Sequence, residues 1–358
     1  MSASTFTTAQ KTLFVLGAGA SHEVQLPAGA EFKSWIVQAL YFRFERGSKL
    51  VAGDDAMLEA LRISSASEKP PSQDAKRYLF AAQRIRDALL QAISIDHLMD
   101  AHIDDKHLEL CGKLAIVHTI LEAERRSMLY VGPSLGHETL AVLPLNQTWF
   151  SSFLRLLTEN CRKSDLEKRL SSVALVVFNY DRCIEHYLYH ALQIYYGISG
   201  GNAAALLRRL EIYHPYGTVG SLPWLDKENA IEFGATPSAK QLLSLAAGIK
   251  TFAEGTDTSS SEIGAIRTNM TSCNRLVFLG FAFHRMNLDL LLPLASVSRQ
   301  PTNRTVFGTA FKISSNDQEI IQNELATRAG VPISNVRLRN DLTCYQLFHE
   351  FWRSLSLV

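Results

Sequence analysis

No stretch of this sequence approaches the roughly 18 apolar residues that a membrane-spanning helix needs, so no bilayer span is expected. The opening MSASTFTTAQK also lacks a charged segment leading into an apolar one, which predicts a chain that is not exported. Cysteine is sparse: Cys111, Cys161, Cys183, Cys273 and Cys344 stand singly, with no Cys-x-x-Cys pair. That spacing excludes a disulfide framework and a cysteine-built zinc module, and a reducing cytoplasm is the expected compartment. Charge of one sign is lacking too, because 36 Lys and Arg stand against 35 Asp and Glu, leaving +1. Bulk electrostatics therefore predict neither direct nucleic-acid binding nor attraction to an anionic membrane.

What is present is 358 residues, 47% of them hydrophobic, enough to bury a sizeable core in one or two domains. Residues 12–16 (TLFVL) form a β-branched and aromatic run closed by Gly17-Ala18-Gly19, and 31–42 then carry helical apolar spacing. The unit repeats where 173–178 (VALVVF) meets Asn179-Tyr180-Asp181 and the amphipathic stretch 183–192. It repeats again where 276–279 (LVFL) turns at Gly280 and resumes as 288–294. Apolar strands alternating with helices predict an α/β fold, a parallel sheet with helices on both faces. Residues 304–307 add a further expected strand, 317–329 a helix, and 343–355 an aromatic-rich closing helix.

Between the first two units lie about 130 residues without a convincing strand, with helical patterns near 74–93, 104–130 and 147–160. They predict a large α-helical insertion, 45–169, in a domain made of 1–44 and 170–358. The polar, breaker-rich segments 68–74 and 255–262 read as surface loops. His97, His102, His107 and His118 fall in the insertion at near-helical spacing, but no carboxylate or cysteine completes a metal set, so no metal is expected.

The loop Gly17-Ala18-Gly19-Ala20-Ser21 follows a strand and leads to a helix, a context in which a pyrophosphate approaches the backbone closely. A tight turn without a ligand is the competing reading. The dehydrogenase fingerprint wants a third glycine where His22 stands and an acidic residue about 20 positions on, ending a second strand; here that region reads as helix. Redox use of the loop is therefore not expected.

GAGAS followed by Leu26-Pro27-Ala28-Gly29 and Phe32 resembles the NAD-binding loop of the sirtuin (silent information regulator) family. Phe178-Asn179-Tyr180-Asp181 looks like that family's Asn-x-Asp motif. His214-Pro215-Tyr216-Gly217 is similar to its catalytic His-Gly element, and Leu279-Gly280-Phe281-Ala282-Phe283 with Asn287 to its late glycine loop. The missing zinc module sets the chain apart from sirtuin deacetylases and makes it resemble the zinc-free sirtuin-like domains of bacterial anti-phage systems. Residues 112–129, with Glu122-Ala123-Glu124-Arg125-Arg126-Ser127, also look like the insertion of such proteins. The resemblance implies a Rossmann-like domain, NAD as substrate, no zinc, homo-oligomerisation and, for some relatives, partnership with a hexameric DNA-translocating ATPase. Gly17, Ala18, Gly19, Ala20, Ser21, Pro27, Phe32, Gly217, Gly280, Phe281, Phe283 and Asn287 are the nucleotide-binding residues it implies.

The nicotinamide of NAD leaves its ribose as a neutral molecule, so its departure needs no general acid; the enzyme must stabilise an oxocarbenium and supply water. His214, with an ordinary pKa near 6.5, suits a base. Asn179 offers a donor and an acceptor without a charge that would trap the cation, which suits orienting water. Asp181 either favours the developing positive charge or caps the helix that follows. Read alone, His214 is a turn residue and Asn179 a helix cap; with the glycine loop, the catalytic reading prevails. Phe281 and Phe283 either wall the pocket or belong to the core. The function expected is NAD hydrolysis to nicotinamide and ADP-ribose, serving anti-phage defence by NAD depletion. The alternatives are a non-catalytic NAD or ADP-ribose sensor or scaffold, and a zinc-independent deacylase or ADP-ribosyltransferase.

Overall fold

Short runs that are apolar at every position can be buried only where both faces of a sheet are covered, and TLFVL and VALVV take up that place. In the computed structural model, which describes residues 11–45, 49–68, 75–132, 139–255, 260–293 and 304–358, they lie side by side in a six-stranded parallel sheet. Its strands are β1 (Thr12–Leu16), β2 (Val173–Val177), β3 (Glu211–Tyr213), β4 (Arg275–Leu279), β5 (Thr305–Thr309) and β6 (Val336–Arg339). In space they run β3-β2-β1-β4-β5-β6, the doubly wound order of a Rossmann-like sheet. The order reverses between β1 and β4, and in such sheets the crevice beyond the strand ends at that point takes the ligand.

Because side chains alternate along a strand, the sheet divides its residues between two cores. Leu13, Val15, Ala174, Val176, Leu276 and Phe278 pack with Ile36, Leu40, Leu61, Ile85 and Ile116. Phe14, Leu16, Leu175, Val177, Val277 and Leu279 face the other way, against Trp149, Phe150, Phe153, Tyr187 and Phe348. Segment 45–169 is thus spread over both faces. Helices Asp55–Ala66, Lys76–Leu89 and Lys106–Arg126 belong to the first core, and Trp149–Thr158 to the second. Lys106–Arg126 has its buried residues distributed around the axis, as a helix packed on several sides requires.

The structure corrects several local expectations. A small antiparallel hairpin, Arg43–Glu45 with Lys49–Ala52, stands where no strand was expected and where the helix 31–42 was to end; that helix spans Ala30–Ala39. Strands β3 and β6 and helix Asp55–Ala66 were not anticipated. The closing segment breaks into Cys344–Glu350 and Trp352–Leu355. Helix Arg285–Leu291 stands in place of 288–294, whose last residue lies outside the described residues, as do 69–74 and 256–259 of the expected loops at 68–74 and 255–262; Ser261 and Glu262 of the second begin the helix Ser261–Ser272. No described helix is long and apolar enough to cross a membrane.

Candidate active site

Four consecutive strands of the sheet end in the four motifs: β1 in Gly17, β2 in Phe178-Asn179, β3 in His214 and β4 in Gly280. The parallel register places all four at one edge. Gly17, Ala18, Ser21, Pro27, Phe32, Asn179, Asp181, Phe281 and Asn287 line a cleft of about 230 Å³ there.

The glycines hold the two loops together. Gly17 donates its N–H to the Leu279 carbonyl at 3.0 Å, and Gly19 to the Gly280 carbonyl at 3.0 Å. A Cβ on Gly17 would stand 2.5 Å from the Gly280 oxygen, and one on Gly280, at φ +56°, 2.0 Å from the Ala20 nitrogen. These glycines are thus required by backbone-to-backbone contact. Gly19, Ala20 and Gly280 stand outside the lining of the cleft. Ala20 instead accepts the Trp149 indole N–H at 2.8 Å, so the insertion braces the loop from behind. Phe283 takes the core alternative: it is buried against Phe278 and Phe281, with ring centroids 5.5 and 5.3 Å away. Gly217 closes the turn after His214, donating to the His214 carbonyl at 2.9 Å, and lines a second cavity.

Asn179 is buried and donates from Nδ2 to the Gly17 carbonyl and to Ser21 Oγ, both at 3.1 Å. The donor side is therefore committed to the glycine loop. Asp181 lines the cleft, and its Oδ1 accepts the Cys183 N–H at 3.1 Å just ahead of the helix Cys183–Tyr196, whose N-cap residue is Arg182. Burial raises the pKa of Asp181, opposed by the bonds from Cys183 and Ser21. The Cys183 thiol is held well above its ordinary value by burial and by Asp181, an environment without activation for a nucleophile.

His214 does not face this cleft. It lines a neighbouring cavity of about 400 Å³ with Arg182, Glu185, Arg208, Lys250 and Glu262. Its Nε2 lies 2.6 Å from Glu185 Oε1, and its Nδ1 3.3 Å from the Asn179 carbonyl oxygen. Two acceptors flank the ring, an arrangement that suits the doubly protonated form. Burial alone would lower its pKa, but the Glu185 charge and hydrogen bond outweigh it and the net shift is upward. The ordinary imidazole assumed from the sequence is thereby corrected. His214 is linked to Asn179 through the Asn179 backbone carbonyl.

Several lining residues, Ile93–His97 and Phe252 among them, carry no signal in the sequence. Ile93–His97 of the insertion closes one side of the cleft, and the Tyr180 hydroxyl donates to Asp96 Oδ1 there. Burial raises the pKa of Asp96. Tyr216 donates to Asn287 Oδ1 at 2.5 Å, and Phe178, Phe252 and Phe281 supply aromatic surface. Behind the Asn-x-Asp loop, Arg182 forms a buried ion pair with Glu124 at 2.5 Å. No group of His, Cys, Asp and Glu among the described residues is placed to hold a metal; His107 instead pairs with Glu68 at 2.8 Å.

No family model, curated protein or solved structure matches the chain.

Proposed function

We propose that the protein is an NAD hydrolase that cleaves the nicotinamide–ribose bond to nicotinamide and ADP-ribose. One observation carries the reading: at the switch point of the sheet Asn179 is bonded through its side chain to the glycine loop, at the Gly17 carbonyl and Ser21 Oγ, and through its backbone carbonyl to His214. In this reading the dinucleotide lies over Gly17, Ala18 and Ser21, with its ribose at Asn179. The carboxylate of Asp181 opposes the positive charge that develops as neutral nicotinamide departs. Water attacks the ribosyl carbon, and its proton passes to His214 once the ring has lost its Nδ1 proton, released the Asn179 carbonyl and turned to the cleft. The resemblance to anti-phage sirtuin-like domains extends the proposal to a cytoplasmic homo-oligomer that depletes NAD, with a DNA-translocating ATPase as a candidate partner.

A second reading, a sensor that binds the nucleotide without turnover, is favoured by the engagement of both His214 nitrogens. Incubation with NAD in isotope-labelled water separates the two. Hydrolysis yields nicotinamide and ADP-ribose in equal amounts, with the label in ADP-ribose. A sensor binds NAD and forms neither product.

A further inference from the structure

His214 is buried between oxygens, and the identity of the group on each nitrogen decides which nitrogen can do chemistry. Glu185 lies in the first turn of helix Cys183–Tyr196, where the Asn-x-Asp loop delivers it to the rear of the site. It is 6% exposed, its Oε1 is 2.6 Å from His214 Nε2, and its Oε2 is buried with no hydrogen-bond partner among the described residues. A buried carboxylate ordinarily fills its lone pairs. Here one oxygen rests on His214 alone, so the carboxylate is directed to that imidazole and to little else.

We propose that Glu185 is a positioning residue for bond cleavage: its carboxylate holds His214 through Nε2 and so makes Nδ1, on the Asn179 side, the atom that takes up the proton. The inference rests on the hydrolase reading. The contact between Nδ1 and the Asn179 carbonyl is the longer of the two, at 3.3 Å, and it is the one given up when the ring loses its Nδ1 proton to solvent and enters the step neutral, with Nδ1 free. As nicotinamide leaves with the electrons of the glycosidic bond, water forms the new bond to the ribosyl carbon. One water O–H breaks and its proton passes to Nδ1, while Nε2–H stays with Glu185. The carboxylate stabilises the imidazolium, which then returns the proton to solvent.

The other charged groups around His214 do not compete for Nε2. Glu262, from helix Ser261–Ser272, accepts the His214 backbone N–H at 3.1 Å and pairs with Lys250 at 3.0 Å. Arg182 is bound to Glu124, and Arg208 donates to the Leu225 and Trp224 carbonyls. Asp181 acts on His214 only through its charge.

The test follows the His214 ring by NMR across pH in the full chain carrying labelled histidine, with its signal assigned by loss in His214→Gln. Nicotinamide release is measured over the same pH range. Glu185→Gln is expected to lower the His214 pKa by about one unit or more, to move the acidic limb of the rate profile to lower pH by the same amount, and to cut the plateau rate at least tenfold. Glu185→Asp should restore part of each. An unmoved limb and an unmoved His214 titration in a folded Glu185→Gln protein overturn the proposal. A His214 pKa that falls in Glu185→Gln while even the wild type releases no nicotinamide overturns the hydrolase reading and the catalytic use of the pair, and leaves the pairing itself standing.

Discussion

Replacing Glu124 by alanine removes the countercharge of Arg182, the residue between Asp181 and Cys183 in the loop that forms the rear of the site. Both side chains are enclosed, at 0% and 3% exposure, and the carboxylate also accepts the Gly234 N–H at 2.9 Å. Removing one partner of a buried ion pair costs about 3–5 kcal/mol. Arg182 keeps the Ile231 carbonyl at 2.7 Å and longer contacts to Ser221 and Glu232, which places the loss at the lower end, about 3 kcal/mol. The orphaned Gly234 N–H adds about 1 kcal/mol. A total of about 4 kcal/mol is a large part of an ordinary stability of about 5–15 kcal/mol, and corresponds to roughly a thousandfold rise in the unfolded fraction. Urea unfolding followed by tryptophan fluorescence measures it directly. The double variant Glu124→Leu with Arg182→Met, which replaces the pair by apolar groups, is expected to recover most of the loss. A loss below about 1 kcal/mol in Glu124→Ala, or a double variant no better than the single, would refute the reasoning.

Gly280→Ala should disrupt both glycine loops, because its Cβ meets the Ala20 nitrogen and its φ is positive; calorimetry should show a lowered melting temperature together with lost NAD binding. Trp149→Phe keeps the aromatic packing but removes the bond to the Ala20 carbonyl, at a cost of about 1–3 kcal/mol for the unpaired acceptor, and should weaken NAD binding without abolishing it. Stability should also depend on pH through His214. Its folded pKa is raised above the ordinary 6.5, so its contribution is fully present below 6.5 and is lost as the pH rises through the higher folded value. Denaturation midpoints measured across that window should fall in the wild type and flatten in His214→Gln; a wild-type profile indistinguishable from the variant contradicts the assignment.

The central strands were legible because β1, β2 and β4 are short runs of Leu, Val and Phe closed by turn residues, a pattern set by burial on both faces. The edge strands were not. β3 reads Glu-Ile-Tyr and β6 reads Val-Arg-Leu-Arg, and an edge position tolerates such polar residues. At the site, Asn179 and Asp181 were recognisable from their place after a strand, but what each bonds to was not. The commitment of Gly17 and Gly19 to Leu279 and Gly280 depends on residues more than 250 positions away. Likewise the upward shift at His214 comes from Glu185, which in the sequence is an ordinary first-turn glutamate. The reach of Ile93–His97 into the cleft has no local signature, because it is produced by the packing of the insertion on the sheet.

The most direct test of the account is nicotinamide release from NAD by the purified, assembled protein, with wild type compared to Asn179→Ala and His214→Ala, and with NAD binding measured alongside. The account predicts release by the wild type and a loss of about a hundredfold or more in each variant, with NAD binding retained. Measurable NAD binding with no release by the wild type under any condition, or release that survives both substitutions, would contradict it.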